Sequence, residues 1–201
     1  MDAATLRATG AECTAFLLAH TEGDWSAPVP ELKWSVREVA AHIGDTLSWY
    51  ANDLAAGATE LSTKDIRVRP DSSPVDLART VSASVTVLAA VVDAGGPDAR
   101  GWHPWGIADA SGFAAMGCDE LLVHTGDAAR GLGVAFTPSP EPASATLRRL
   151  FPWAPAEAEP WRTLLWANGR TALPGRPRLT GWRWHCAPLS EWDGSAPDGA
   201  R

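Results

Sequence analysis

The amino-acid sequence predicts an all-α protein: a four-helix bundle followed by a short tryptophan-rich C-terminal extension. Three observations carry this expectation. Apolar residues recur at helical spacing through the first two-thirds of the chain. Capping residues mark two helix starts, Ser35 with Glu38 and Ser73 with Pro74 and Asp76. Glycines stand where the runs should stop, at Gly23, Gly57, Gly95-Gly96 and Gly131.

Helix 1 is expected from Asp2 to His20, with Leu6, Phe16, Leu17 and Leu18 on its apolar side. The connector WSAPVPELKW follows, and its prolines forbid a regular helix. Helix 2 starts in the S-x-x-E capping box and carries Val36, Val39, Ala40, Ile43, Leu47 and Tyr50 to about Leu54. Helix 3 is capped by Ser73. Pro74 suits its first position, and Asp76 complements the positive helix end. Helix 4 starts near Asp109 or Ser111 and ends around Gly131. The bundle is expected to occupy residues 1–136. Residues 137–201 form an extension packed on it rather than an independent domain. In that extension TPSPEPASA reads as a linker, Ser144–Phe151 and Pro160–Asn168 as short helices, and LTGWRWHCAPL as a strand. Five tryptophans, Trp153, Trp161, Trp166, Trp182 and Trp184, are expected to fasten it to the bundle.

Composition narrows the function classes. The chain has 201 residues, 45% hydrophobic and 20% charged, within the globular range. No run approaches the roughly 18 apolar residues of a membrane span. The first residues, MDAATLRATG, show no basic-then-apolar leader, so the expected location is the cytoplasm. The formal net charge of −7 and the lack of a basic patch argue against nucleic acid. Cys13, Cys118 and Cys186 lack CxxC spacing, which argues against a disulfide framework or a thiolate zinc knuckle. Eleven tryptophans are far above usual for this length and must line a core, a pocket or both.

One constellation can carry chemistry. Glu120 and His124 are four apart on helix 4 and share a face. His42 lies on helix 2, and if that helix faces helix 4 it can supply a third ligand to one divalent ion. Three ligands leave a coordination position open, as in catalytic sites. Asp45 and Asp127, each three residues past a histidine, can orient the imidazoles through the other ring nitrogen. Spacing alone leaves blander readings open: a surface Glu–His pair, a hydrogen-bonded core histidine, and solvated aspartates. Trp49, Trp102 and Trp105 are candidates for a substrate pocket, with core packing and simple loop tolerance as the alternatives. Cys118 reads as a buried small residue, and Arg170 and Arg183 as surface arginines by default, with contact to an anionic substrate as the alternative.

The segments LKWSVREVAAHIGDTLSWY and DELLVHTGDAARGLG resemble the two hallmark blocks of the mycothiol-dependent maleylpyruvate isomerase N-terminal family, within the DinB-like superfamily. The tail PWRTLLWANGR…GWRWH resembles endings of its short members. The resemblance implies a four-helix bundle whose His, Glu, His metal centre is His42, Glu120 and His124. It implies a divalent metal, Zn2+ first, with Ni2+ or another ion as alternatives. It also implies mycothiol or a similar low-molecular-weight thiol as cosubstrate, activated for transfer to, or isomerisation of, a small electrophilic substrate. The isomerase carries a larger C-terminal domain, whereas here only the 65 residues from Thr137 follow, so thiol transfer is at least as well favoured as isomerisation. Two other readings stay open: a metal-bound-water hydrolase or lyase, and a non-catalytic bundle holding an apolar ligand. Bundles of this type often form homodimers, and no exposed stripe decides the point.

Overall fold

A computed structural model describes residues 1–196. Among them the helices are α1 (Ala3–Ala19), α2 (Val36–Ala56), α3 (Pro74–Ala94), α4 (Ala110–Leu132), α5 (Pro140–Leu150) and α6 (Pro160–Ala167). The protein is all-α, as the periodicity predicts.

Local chemistry accounts for the boundaries. The Asp2 carboxylate accepts the Thr5 N–H at 2.8 Å and opens α1. At α2 the capping box forms in both directions between Ser35 and Glu38. Ser73 caps α3 with Pro74 in its first turn. The Asp109 carboxylate accepts the Gly112 N–H at 2.7 Å and opens α4. That helix ends at Gly133, in the left-handed region at φ 68°.

The helices do not follow one another around the bundle. α1 packs on α3 and α4, and α2 also packs on α3 and α4, so α1 and α2 occupy opposite corners. The long connector between them, buried through Trp25 and Val29, makes that crossing. Close approach at the centre depends on Gly117 of α4. A Cβ there would lie 2.9 Å from a Leu88 methyl and 3.0 Å from one of Leu6. α3 is long and apolar enough to cross a membrane by length and composition, with a mean hydropathy of 1.6. Its Leu77, Val81, Leu88 and Val92 are instead buried in the bundle core.

The extension differs from the sequence expectation in two places. Residues read as linker form the first turns of α5, because Pro140 sits in the first turn, where the missing N–H costs nothing. No strand forms over 179–189, which runs as irregular backbone into a 3-10 turn at Leu189–Glu191, with no partner strand among the described residues. Its side chains still alternate: Trp184 and Cys186 are buried while Arg183 is exposed. A two-residue antiparallel pair, β1 (Arg100–Gly101) with β2 (Ala108–Asp109), braces the loop before α4 and has no signal in the sequence. α5 packs on α4 and α6 on α5, and one apolar core runs through bundle and extension. The Arg149 guanidinium ties them further, donating to Asp109 at 2.6 Å and to the carbonyls of His185 and Cys186.

Candidate metal centre

α2 and α4 meet along their lengths, and that contact brings His42 opposite Glu120 and His124. The three ligand atoms lie within 4.8 Å of one another. Glu120 Oε2 stands 3.4 Å from His42 Nε2 and 3.2 Å from His124 Nε2. It is buried, yet no hydrogen bond reaches it. Glu120 Oε1, by contrast, accepts the Tyr50 hydroxyl at 3.1 Å. A buried carboxylate oxygen aimed between two imidazole nitrogens calls for positive charge on those rings or between them. A cation shared by the three atoms would supply it, so this donor set fits a divalent ion.

The ligands are held unequally. His124 Nδ1 lies 3.1 Å from Asp127 Oδ2, and Asp127 is only 1% exposed. Arg170 grips the same carboxylate with two nitrogens, Nε at 3.2 Å and Nη2 at 2.9 Å. Asp127 therefore sits where sequence spacing puts it, and Arg170, expected at the surface, is its anchor. Asp45 corrects the matching expectation on α2. Its carboxylate accepts the Val68 N–H from the α2–α3 connector and makes no hydrogen bond to His42. His42 is instead steadied by the Trp34 ring, centroid to centroid 4.6 Å, and its side chain stays 31% exposed.

The electrostatics follow. Burial raises the Glu120 carboxyl, but the neighbouring His124 and His42 imidazoles outweigh it and hold it below its usual range. Burial would lower His124, but Asp127 and Glu120 push it up to about 9. Two carboxylates facing one imidazole favour positive charge there, whether a proton or a cation supplies it. Asp119, next in sequence to Glu120, is pushed up to about 7 by burial first and then by Glu120. It is gripped from the extension by Asn168 Nδ2 at 2.8 Å and Trp184 Nε1 at 3.0 Å.

A cavity of about 690 Å³ opens beside His42 and Glu120. Trp49, Trp102 and Trp105 all line it, and Trp182 and Trp184 close it from the extension. Trp105 meets Trp184 edge to face at 4.9 Å. His103, beside Trp102 in the same loop, is buried. Burial pushes it down to about 4, and its Nδ1 accepts the Trp105 N–H at 3.1 Å. Cys118 is buried away from the cavity against Thr9, as its register on α4 suggests.

Residues 6–129 match the family model described as the mycothiol maleylpyruvate isomerase N-terminal domain. The chain belongs to this family. The matched stretch contains all three converging side chains and stops short of Arg170, Asn168 and Trp184. In this member of the mycothiol maleylpyruvate isomerase N-terminal family, the contacts from Arg170 to Asp127 and from Asn168 and Trp184 to Asp119 thus come from residues beyond the matched stretch. Among curated proteins and solved structures, no match to the chain is found. Sequence reasoning assigns no site role to Tyr50, Asp119 or Asn168, and none at this centre to Arg170. A signal exists for Tyr50 alone, since it lies eight residues after His42 and so on the same helical face.

Proposed function

We propose that the protein is a cytoplasmic, metal-dependent, thiol-handling enzyme that transfers a low-molecular-weight thiol such as mycothiol to a small electrophile or, as a less favoured reaction, isomerises it. The single observation that carries this is the convergence of buried Glu120 Oε2 with the Nε2 atoms of His42 and His124, within 4.8 Å of one another, in a chain of this family. His42, Glu120 and His124 would hold the ion, Zn2+ first among the candidates. A divalent cation lowers the pKa of a coordinated thiol, so that the thiolate nucleophile exists at neutral pH.

The chain's own residues prepare that chemistry. Asp127 fixes the His124 ring through Nδ1, so that an ion replacing the Nε2 proton would meet a lone pair directed toward Glu120. Tyr50 occupies the other Glu120 oxygen and so leaves Oε2 as the ligand atom. The tryptophan walls beside His42 and Glu120 give the cavity an apolar lining for a substrate body. Three free, buried cysteines are consistent with a reducing compartment.

The test is metal content. Purified wild type should carry about one divalent ion per chain, and His124→Ala should carry essentially none. Equal metal content in the two proteins would end this reading.

A further inference from the structure

The cavity has a second charged end that the metal centre does not use. His42, Thr46, Trp49, Tyr50 and Asp53 line it from one face of α2. Asp53 lies eleven residues past His42, about 16 Å along the helix axis. It is 6% exposed, and among the described residues no side chain or backbone group hydrogen-bonds its carboxylate. Glu60 adds a second carboxylate at the rim. No arginine lines the cavity among the described residues, and its one lysine, Lys64, donates to the side-chain Oδ1 of Asn52.

The Asp53 oxygens face the cavity with no protein partner among the described residues and little solvent around them, and that desolvation has a cost. Burial first, then Glu60, pushes Asp53 up to about 6. Hydroxyl donors would leave its charge uncompensated, whereas an ammonium group would neutralise it. Trp49, Trp102 and Trp105 line the same cavity, and indoles are the side chains best suited to attract organic cations. A dicarboxylate such as maleylpyruvate would instead meet Asp53 and Glu60 as like charges.

We propose that the Asp53 end of this cavity binds an ammonium group, so that the substrate class is organic cations rather than dicarboxylates. That the bound molecule then reacts at His42, Glu120 and His124 rests on the metal-dependent reading above; the cation site itself does not. A ligand spanning the cavity would put its ammonium against Asp53 and its reactive end at the Glu120 side.

The experiment titrates the intrinsic tryptophan fluorescence of the zinc-loaded full chain. The probes are choline and 3,3-dimethyl-1-butanol, its uncharged isostere. Choline should bind about tenfold more tightly than the alcohol, and Asp53→Asn should bring that ratio to about one. Asp53→Asn removes an unpaired charge, so it should fold, and thermal melting by circular dichroism checks this. Equal binding of the two probes by wild type would overturn the proposal without recourse to any variant. So would a choline preference that survives in folded Asp53→Asn. Zinc content is measured on the same samples. A protein that prefers choline yet retains no zinc would support the cation site and count against the metal reading alone.

Discussion

The bundle and the extension contribute to one site in different ways. The bundle supplies the groups that would touch an ion, His42 from α2 with Glu120 and His124 from α4. The extension supplies groups that touch only those groups' neighbours: Arg170 on Asp127, and Asn168 and Trp184 on Asp119. It also closes the cavity with Trp182 and Trp184. The contrast separates having ligands from holding them still. Residues that orient ligands commonly matter for metal affinity almost as much as the ligands do.

The sharpest way to break the comparison is at the residue both regions share. Asp127→Ala would leave the Arg170 guanidinium without its carboxylate and the His124 ring without its partner. Metal affinity should fall about 10–100-fold, and stability by about 3–5 kcal/mol, since one member of a buried pair is lost. Calorimetric metal titration and denaturant unfolding read the two effects separately. An unchanged metal affinity would mean that Asp127 only braces the fold.

A second effect tests the seam between the regions, where His103 packs against Trp184 and Cys186. Its folded pKa, about 4, lies below the ordinary 6.5. Above pH 6.5 the group is neutral both folded and unfolded and contributes nothing to the pH slope. As pH falls from 6.5 toward 4 the unfolded chain takes up a proton that the folded chain refuses, so stability is lost in that window. The full loss is about 3 kcal/mol. His103→Asn should flatten this part of the stability–pH curve, and parallel curves for the two proteins would contradict the assignment.

The smallest effect sharpens the comparison most, because it alters the extension alone. Arg170→Met keeps much of the apolar stem and deletes the fork that grips Asp127. Metal affinity should drop about tenfold, and the visible spectrum of the cobalt-substituted protein should shift as His124 loosens. The bundle's helical content should not change. Arg170→Lys should restore little, because an ammonium cannot reproduce the two-nitrogen contact.

The bundle was legible in the sequence because its signals are local. Ser35 with Glu38, Ser73 with Pro74, and the 3.6-residue apolar period each act within a turn or two. The extension depends on distant contacts. Pro138, Pro140 and Pro142 all look like linker prolines until a helix is seen to start at Pro140. The period-2 pattern of Trp182, Trp184 and Cys186 reads as a strand, and its burial does alternate, but α5 and the cavity take the place of a neighbouring strand. Asp45 and Asp127 share the same spacing from a histidine and ended differently for the same reason. A connector N–H at Val68 captured one, and the Arg170 guanidinium fixed the other. Neither partner could be read from the spacing.

Asp127 and Arg170 are 43 residues apart in the chain. During synthesis the four bundle helices leave the ribosome first, with His42, Glu120 and His124 already among them. The guanidinium that steadies His124 through Asp127 arrives only when α6 has been made. A nascent chain would therefore display its ligands before it can hold them firmly, and tight ion capture would wait for Arg170 to emerge and reach Asp127.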